Sequence, residues 1–427
     1  MAANNVSCVQ NPHLGVAMTK TCTEFGELDG GVKTSAPSVL LGPLNGIVVL
    51  DLSRVLAGPY CTLLLSELGA RVIKVEPPEG DDSRRYGPFR NGSSLYFAAV
   101  NRGKESIALD LKNEADRSVF AELLDQADVL VENFRPGTME KLGFGWTDLH
   151  RKHPRLIYAA ASGFGHTGPW SSRPAYDMVV QGLGGIMSVT GHKGQPPARI
   201  GISIGDLAAG LYTAIGINAA LYHRRQTGEA TKVDISMLDC QLSLMENPAM
   251  RYLATEEVPG PMGGRHATIS PFAIFSTADL PIVIAAGNDG LFRKLGEALG
   301  RPELADDARF KTNALRCGNF DDLKQEIEAD LVASPAAHWL TILEAAGVPA
   351  GPINTIADAL EHPQVKARRM VVEAEDPIIG DMRMIGNPVK IEPFASCESP
   401  IRPAAPALDA NREALLAELA KCSARPV

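Results

Sequence analysis

Apolar, largely β-branched runs recur along the first half of the chain, at Ile47–Leu52, Val72–Val75, Ile107–Leu109, Val129–Val131 and Leu156–Tyr158. Between them lie stretches with helical spacing of apolar residues, such as Ala115–Leu124. Strands joined through helices must run parallel, so this alternation predicts an α/β fold with a doubly wound, Rossmann-like sheet. A ligand would then bind beyond the carboxyl ends of the strands. The loop Ser53–Gly58 follows the first strand, Pro59 suits the first position of the next helix, and Gly69 lies just past its end. No GxGxxG fingerprint follows any strand, so a nicotinamide cofactor has no support.

With 427 residues, 45% of them hydrophobic, the chain has enough material for two or three domains and a large core. A net charge of -9 and the lack of any basic stripe argue against a nucleic-acid partner. No apolar run approaches the roughly 20 residues of a membrane span, and the N-terminal stretch lacks the apolar centre of a signal peptide. The first arginine is Arg54, which speaks against an Arg-rich transit peptide. The seven cysteines are scattered without CxxC spacing. These features predict a reduced, cytoplasmic protein without a metal site and without membrane contact.

Composition also predicts the domain layout. Residues 1–42 are rich in Asn, Thr, Gly and Ser without a sustained period and read as a flexible extension. Residues 43–240 form the first part of the large domain, and 241–262 a linker that breaks at PGPMGG. A smaller α/β domain follows over 263–347, with strands Phe272–Phe275 and Ile282–Ala286 and helices Leu291–Leu299 and Phe320–Leu331. Residues 348–427 begin with a second linker, VPAGPI, and then return to the large domain. Their expected elements are strands at Met370–Glu373 and Val389–Ile391 and a helix from Arg412.

One acid stands apart. Asp206 precedes a long apolar segment in which Leu207, Leu211, Ala214, Ile215 and Leu221 recur at helical spacing. An Asp there can simply cap the helix. Gly205 and Gly210 on either side also permit close approach of a substrate, and a helix start can hold an anion or a developing oxyanion. The residues alone fit both readings.

Ordered blocks add a resemblance. VLAGPYCTLLLSELGARVIKVE from Val55, NRGKESIALDLK from Asn101, ADVLVENFRPG from Ala127, SGFGHTGPW from Ser162, RPAYDMVVQGLGG from Arg173 and SIGDLAAG from Ser203 together resemble the family III CoA-transferases. GGRHATISPFAIF, KTNALR and VPAGPINT look most like the branch that moves CoA between dicarboxylates such as succinate and glutarate. The resemblance implies a ring-shaped chain in an interlocked homodimer, with acyl-CoA and small carboxylates as substrates and no tightly bound cofactor. It implies that Asp206 is the nucleophile, passing through a mixed anhydride and an aspartyl-CoA thioester. The helix start would keep that carboxylate ionised at neutral pH.

By the same resemblance, Leu56, Ala57, Asn101, Lys104, Asn133, Phe134, Arg135 and Lys141 fall on the CoA-binding positions. Lys104 and Arg135 can meet phosphates as cations, and Phe134 can pack against adenine. A solvated lysine and a turn asparagine are the plain readings of Lys104 and Asn133. Leu56 stands where oxalate-type members carry Gln, which disfavours oxalate. Gly263 and Gly264 match a glycine loop over the intermediate, continuing into Arg265 and His266, although an interdomain turn would look the same. Arg199 and Arg265 are candidates for the distal carboxylate of a dicarboxylate. Tyr176 replaces the His of the racemase His-Asp pair, leaving an acyl-CoA racemase as the second reading and an inactive CoA-binding protein as the third. His166 reads as a polar loop residue, and ALDANRE at Ala407 departs from the family's usual C-terminal pattern.

Overall fold

The computed structural model describes residues 42–392, 394 and 401–423, so nearly all of the expected N-terminal extension lies outside the described residues. The described residues belong to one compact unit. Its elements begin with β1 (Val48–Asp51), α1 (Ala57–Glu67), β2 (Arg71–Glu76), α2 (Leu95–Asn101), β3 (Glu105–Ala108), α3 (Glu114–Gln126), β4 (Val129–Glu132) and β5 (Ile157–Ser162). They continue with α4 (Asp177–Leu183), α5 (Ile204–Thr227), β6 (Lys232–Ser236), α6 (Met237–Leu244) and α7 (Glu246–Thr255). The six strands form one sheet in the order β3-β2-β1-β4-β5-β6, and every neighbouring pair is parallel. This is the Rossmann order, in which the winding reverses between β1 and β4 and opens a crevice at their carboxyl ends.

Alternate residues of each strand feed opposite faces. Leu50, Ile73, Ile107, Leu130 and Tyr158 pack with Phe120 and Leu124 of α3 on one side. Val49, Val72, Val129, Ile157 and Ala159 pack with Cys61 and Leu65 of α1 and Ile217 of α5 on the other. Helices on both faces explain why the strands read as continuous apolar runs instead of alternating ones.

α5 is long and apolar enough to cross a membrane by length and composition alone, contrary to the expectation that no run approaches that size. In this fold it is packed against α1, and the contact leaves no room for a side chain at Gly210. A Cβ there would come within 2.7 Å of the Ala57 carbonyl oxygen. The opposite face of α5 is open, with Leu211 46%, Ile215 62% and Tyr222 65% exposed.

A second sheet combines β7 (Phe272–Phe275), β8 (Ile282–Ala285) and β9 (Ala350–Pro352), antiparallel in the order β9-β8-β7. It has its own core around Phe275, Ile284, Phe292, Phe310, Ile327 and Trp339. Beyond it, β10 (Val371–Asp376) pairs antiparallel with β11 (Gly380–Ile385) and parallel with β12 (Ile401–Arg402). The strand expected at Val389–Ile391 is absent, and the pairing runs through β11 instead. Asp376 accepts the N–H groups of Ile378 and Ile379 at 2.8 Å each, and Gly380 takes φ +79°, so the chain turns back at once. The last helix, α8 (Arg412–Ser423), places Leu415 and Leu419 in the core of the large sheet. Residues 241–262, read as a linker, are largely helical, with α7 holding no buried residue.

Candidate active site

The crevice at the switch point is a cleft lined by the segments that follow β1, β4 and β5. Arg54, Val55, Leu56 and Ala57 come after β1, and Asn133, Phe134, Arg135 and Pro136 after β4. Ser162 and Gly163 come from the end of β5, Arg173 to Tyr176 from later in the same connection to α4, and Asp206 of α5 completes the lining. The first two loops are stapled together: Arg54 N–H donates to Asn133 Oδ1 and Asn133 Nδ2 to the Arg54 carbonyl, both at 2.8 Å. Phe134 N–H donates to Glu132 Oε2 at 2.7 Å, and the Arg54 guanidinium lies 5.4 Å from the Phe134 ring centre.

Asp206 is not the N-cap. α5 begins at Ile204, with Ser203 preceding it, so Asp206 sits in the first turn. The anchoring role belongs to Asp177, whose buried carboxylate accepts Gly205 N–H at 2.8 Å and Gln181 Nε2–H at 2.8 Å. Among the described residues no hydrogen bond reaches the Asp206 carboxylate itself, which is free to face the cleft. Burial first, and then the Asp177 charge, push its carboxyl up to about 7. The start of α5 favours the anion and works the other way, but it does not keep Asp206 fully ionised at neutral pH as the sequence suggested. A carboxylate of raised basicity is a stronger nucleophile once ionised. The same charge is felt by Tyr96, whose phenol is pushed up to about 12 by burial and then by Asp206.

Over residues 44–412 the sequence matches the profile of CoA-transferase family III. The chain belongs to that family. It is 47% identical over 393 residues to the acetyl-CoA:oxalate CoA-transferase of Acetobacter aceti, covering 92% of this chain and 99% of the relative. It is 39% identical to the succinate–glutarate CoA-transferase of Agrobacterium fabrum, covering 88% and 96%. Among solved structures, a CAIB/BAIF family protein from Brucella suis superposes with a TM-score of 0.77 at 40% identity, covering 88% of this chain and 99% of that one.

Of the residues that the family resemblance singled out, Leu56, Ala57, Asn133, Phe134, Arg135, Tyr176 and Asp206 share this one cleft. Asn101 and Lys104 do not, and here the phosphate-binding expectation needs correcting. Lys104 is buried with its ammonium donating to Asp51 Oδ2 at 2.9 Å, Asn101 Oδ1 at 2.8 Å and the Pro59 carbonyl at 3.1 Å. All three donors are committed to the interior. Asn101 is likewise fully buried. Lys141 is exposed at the end of a short helix outside the cleft lining.

Arg199 donates Nε–H to the carbonyl of its neighbour Ile200 at 3.0 Å, so it braces its own loop. Arg265 lies over the Phe320 ring at 4.4 Å, and His266 stacks on Phe272 with ring centres 5.4 Å apart. Gly263 N–H donates to the Gly191 carbonyl and Gly264 accepts from Ile274 N–H, so this glycine pair edges the small sheet and does not line the Asp206 cleft. The arginines that do line it are Arg54, Arg135 and Arg173, the last 4.0 Å from the Trp170 ring centre. Arg54 and Arg173 were not singled out from sequence, although both lie within or beside the quoted blocks. Asp177 was visible in RPAYD, but only the fold brings it to the start of α5.

Proposed function

We propose that this family member transfers CoA from an acyl-CoA donor, succinyl-CoA in the first instance, to a small dicarboxylate through Asp206. The observation that carries the reading is Asp206 itself: a carboxylate with no hydrogen-bonded partner among the described residues, raised in pKa, in a cleft with three arginines. The Asp206 carboxylate attacks the thioester carbonyl, the C–S bond breaks, and CoA thiolate leaves a mixed anhydride. The thiolate then attacks the Asp206 acyl carbon, releasing the donor carboxylate and forming the aspartyl-CoA thioester. An acceptor carboxylate repeats both steps in reverse and regenerates Asp206. The relatives' names share dicarboxylate acceptors, oxalate and glutarate among them, and mesaconate in a 40% identical protein of Haloarcula hispanica. Arginine forks suit the acceptor's second carboxylate as well as CoA phosphates.

Incubation with succinyl-CoA followed by hydroxylamine and peptide mass spectrometry should place the label on Asp206. Transfer should be measurable to at least one of oxalate, glutarate or mesaconate, and oxalate is the informative member because Leu56 argues against it while a 47% identical relative is named for it. A label on another residue, or transfer to none of a dicarboxylate panel, would reject the reading. α-Proton exchange from solvent without any acceptor would put the racemase ahead, although no histidine lines the cleft among the described residues. His166 lies away from it, its Nδ1 3.0 Å from Lys232 Nζ and its Nε2 3.6 Å from Glu132.

We also propose the interlocked homodimer. The open face of α5 supports it, as do Met250 at 60% and Leu253 at 72% exposure on α7, since apolar residues grouped on one helix face mark an interface. Light scattering at micromolar concentration should give twice the mass of one chain; a single-chain mass rejects the dimer.

A further inference from the structure

The loop from Ser53 to Leu56, whose Arg54, Val55 and Leu56 line the same cleft as Asp206, contains a residue in an unfavourable conformation. Val55 has φ +67°, in the left-handed region where a β-branched side chain is a genuine outlier. Such geometry persists only where surrounding contacts impose it. Here the contacts come from a buried ion pair. Val55 N–H donates to both oxygens of Asp81, at 3.2 and 3.3 Å. Asp81 Oδ2 lies 2.9 Å from Lys74 Nζ, and both side chains are essentially inaccessible to solvent. Lys74 also donates to the Ser53 carbonyl at 2.7 Å, so the pair holds the loop at two points. Burial alone would raise the Asp81 carboxyl, but Lys74 and the Ser83 donors keep it below the usual range, so it stays an anion.

Two plainer roles account for part of this. Asp81 caps the short turn that follows it, accepting Ser83 N–H at 2.8 Å. That does not explain Lys74 or the contact to Val55. Stability is a poor reason as well, because a buried ion pair is commonly no better than an apolar replacement. The contacts left over converge on the Val55 peptide, immediately before α1, whose start no side chain caps.

We propose that Asp81, backed by Lys74, is a positioning residue for CoA transfer: it holds Val55 in the left-handed conformation and so presents Leu56 and Ala57 to the substrate in the Asp206 cleft. It touches no substrate and acts through the loop backbone. The proposal rests on the CoA-transferase reading of the cleft.

The test is a rescue. Asp81→Asn keeps the size of the side chain, but its NH2 replaces one acceptor oxygen and, whichever way the amide is turned, faces either the Lys74 ammonium or the N–H donors of Ser83 and Val55. It should lower kcat/KM for the acyl-CoA by at least about tenfold. Glycine adopts φ +67° freely, so the same change in a Val55→Gly background should cost less than about threefold. Equal losses in both backgrounds would overturn the proposal. If Asp81→Asn fails to fold, Val55→Ala and Val55→Gly are compared with Asp81 intact. The tether should hold either residue, leaving their kcat/KM values within about threefold; a tenfold deficit of Ala against Gly would show that Asp81 does not hold the loop. If the wild type transfers CoA to no acceptor, the functional reading fails on its own. Amide exchange of the 53–57 peptide then reads the loop directly, at least about tenfold faster in Asp81→Asn if the proposal holds and unchanged if it does not.

Discussion

Asp206→Asn is expected to lose about 10³-fold or more in transfer rate while melting at a higher temperature than the wild type at pH 8. The loss follows because an amide does not supply the attacking oxygen anion, and removing a nucleophile from a covalent route typically costs on this scale or above. The gain follows from the carboxyl being pushed up to about 7 by burial and by Asp177. Between the ordinary Asp value near 3.8 and about 7 the native state keeps a proton that the unfolded chain gives up. Stability therefore falls as pH rises through that window. Replacing the acid removes this cost, so the melting-temperature difference should be near zero at pH 4 and largest above pH 7. At about 1.4 kcal/mol per pKa unit the ceiling is about 4 kcal/mol, less whatever solvent screening removes. Wild-type kcat/KM should rise with pH, because about a tenth of Asp206 is ionised at pH 6 and about nine-tenths at pH 8. Near-normal turnover by the Asn variant, with mass spectrometry excluding deamidation, would remove Asp206 from the chemistry. A melting difference that does not grow with pH would contradict the environment described for it.

Lys104→Met is expected to destabilise the protein by about 3 kcal/mol or more. The ammonium sits in the interior between Asp51, Asn101 and the Pro59 carbonyl, and burial pushes it down to about 8 despite the pull of Asp51. Methionine fills a similar volume but leaves Asp51 with less positive charge and Asn101 Oδ1 without its donor, while the Pro59 carbonyl keeps the Thr62 hydroxyl. Lys74 remains near Asp51, as do the hydroxyls of Ser53 and Thr62, which sets the expectation at the lower end of the range for broken buried pairs. The denaturation midpoint should therefore move at an unchanged m-value. A lysine that bound a phosphate from the surface would behave differently: stability unaffected, KM for the acyl-CoA raised, and the change weaker in high salt. An unaltered midpoint would restore that reading.

The strands of the large sheet were legible because burial on both faces writes a continuous apolar run, and the runs at Ile47–Leu52, Val72–Val75 and Val129–Val131 lie within a residue or two of β1, β2 and β4. Ordered sequence blocks were enough to point to the family and to Asp206. Local period was a weaker guide where charge and apolar residues alternate, so β11 was missed and a strand was expected at Val389–Ile391 instead. Side-chain roles were least legible. Lys104 and Asp51 are 53 residues apart, and Gly205 and Asp177 are 28 apart. Sequence alone could show that Lys104 is a cation and Asp206 an acid with glycines beside it. Only the packing decided that the first is spent inside the protein and the second is left free in a cleft, because burial and pairing depend on which distant elements are brought together, and no local pattern of residues records that.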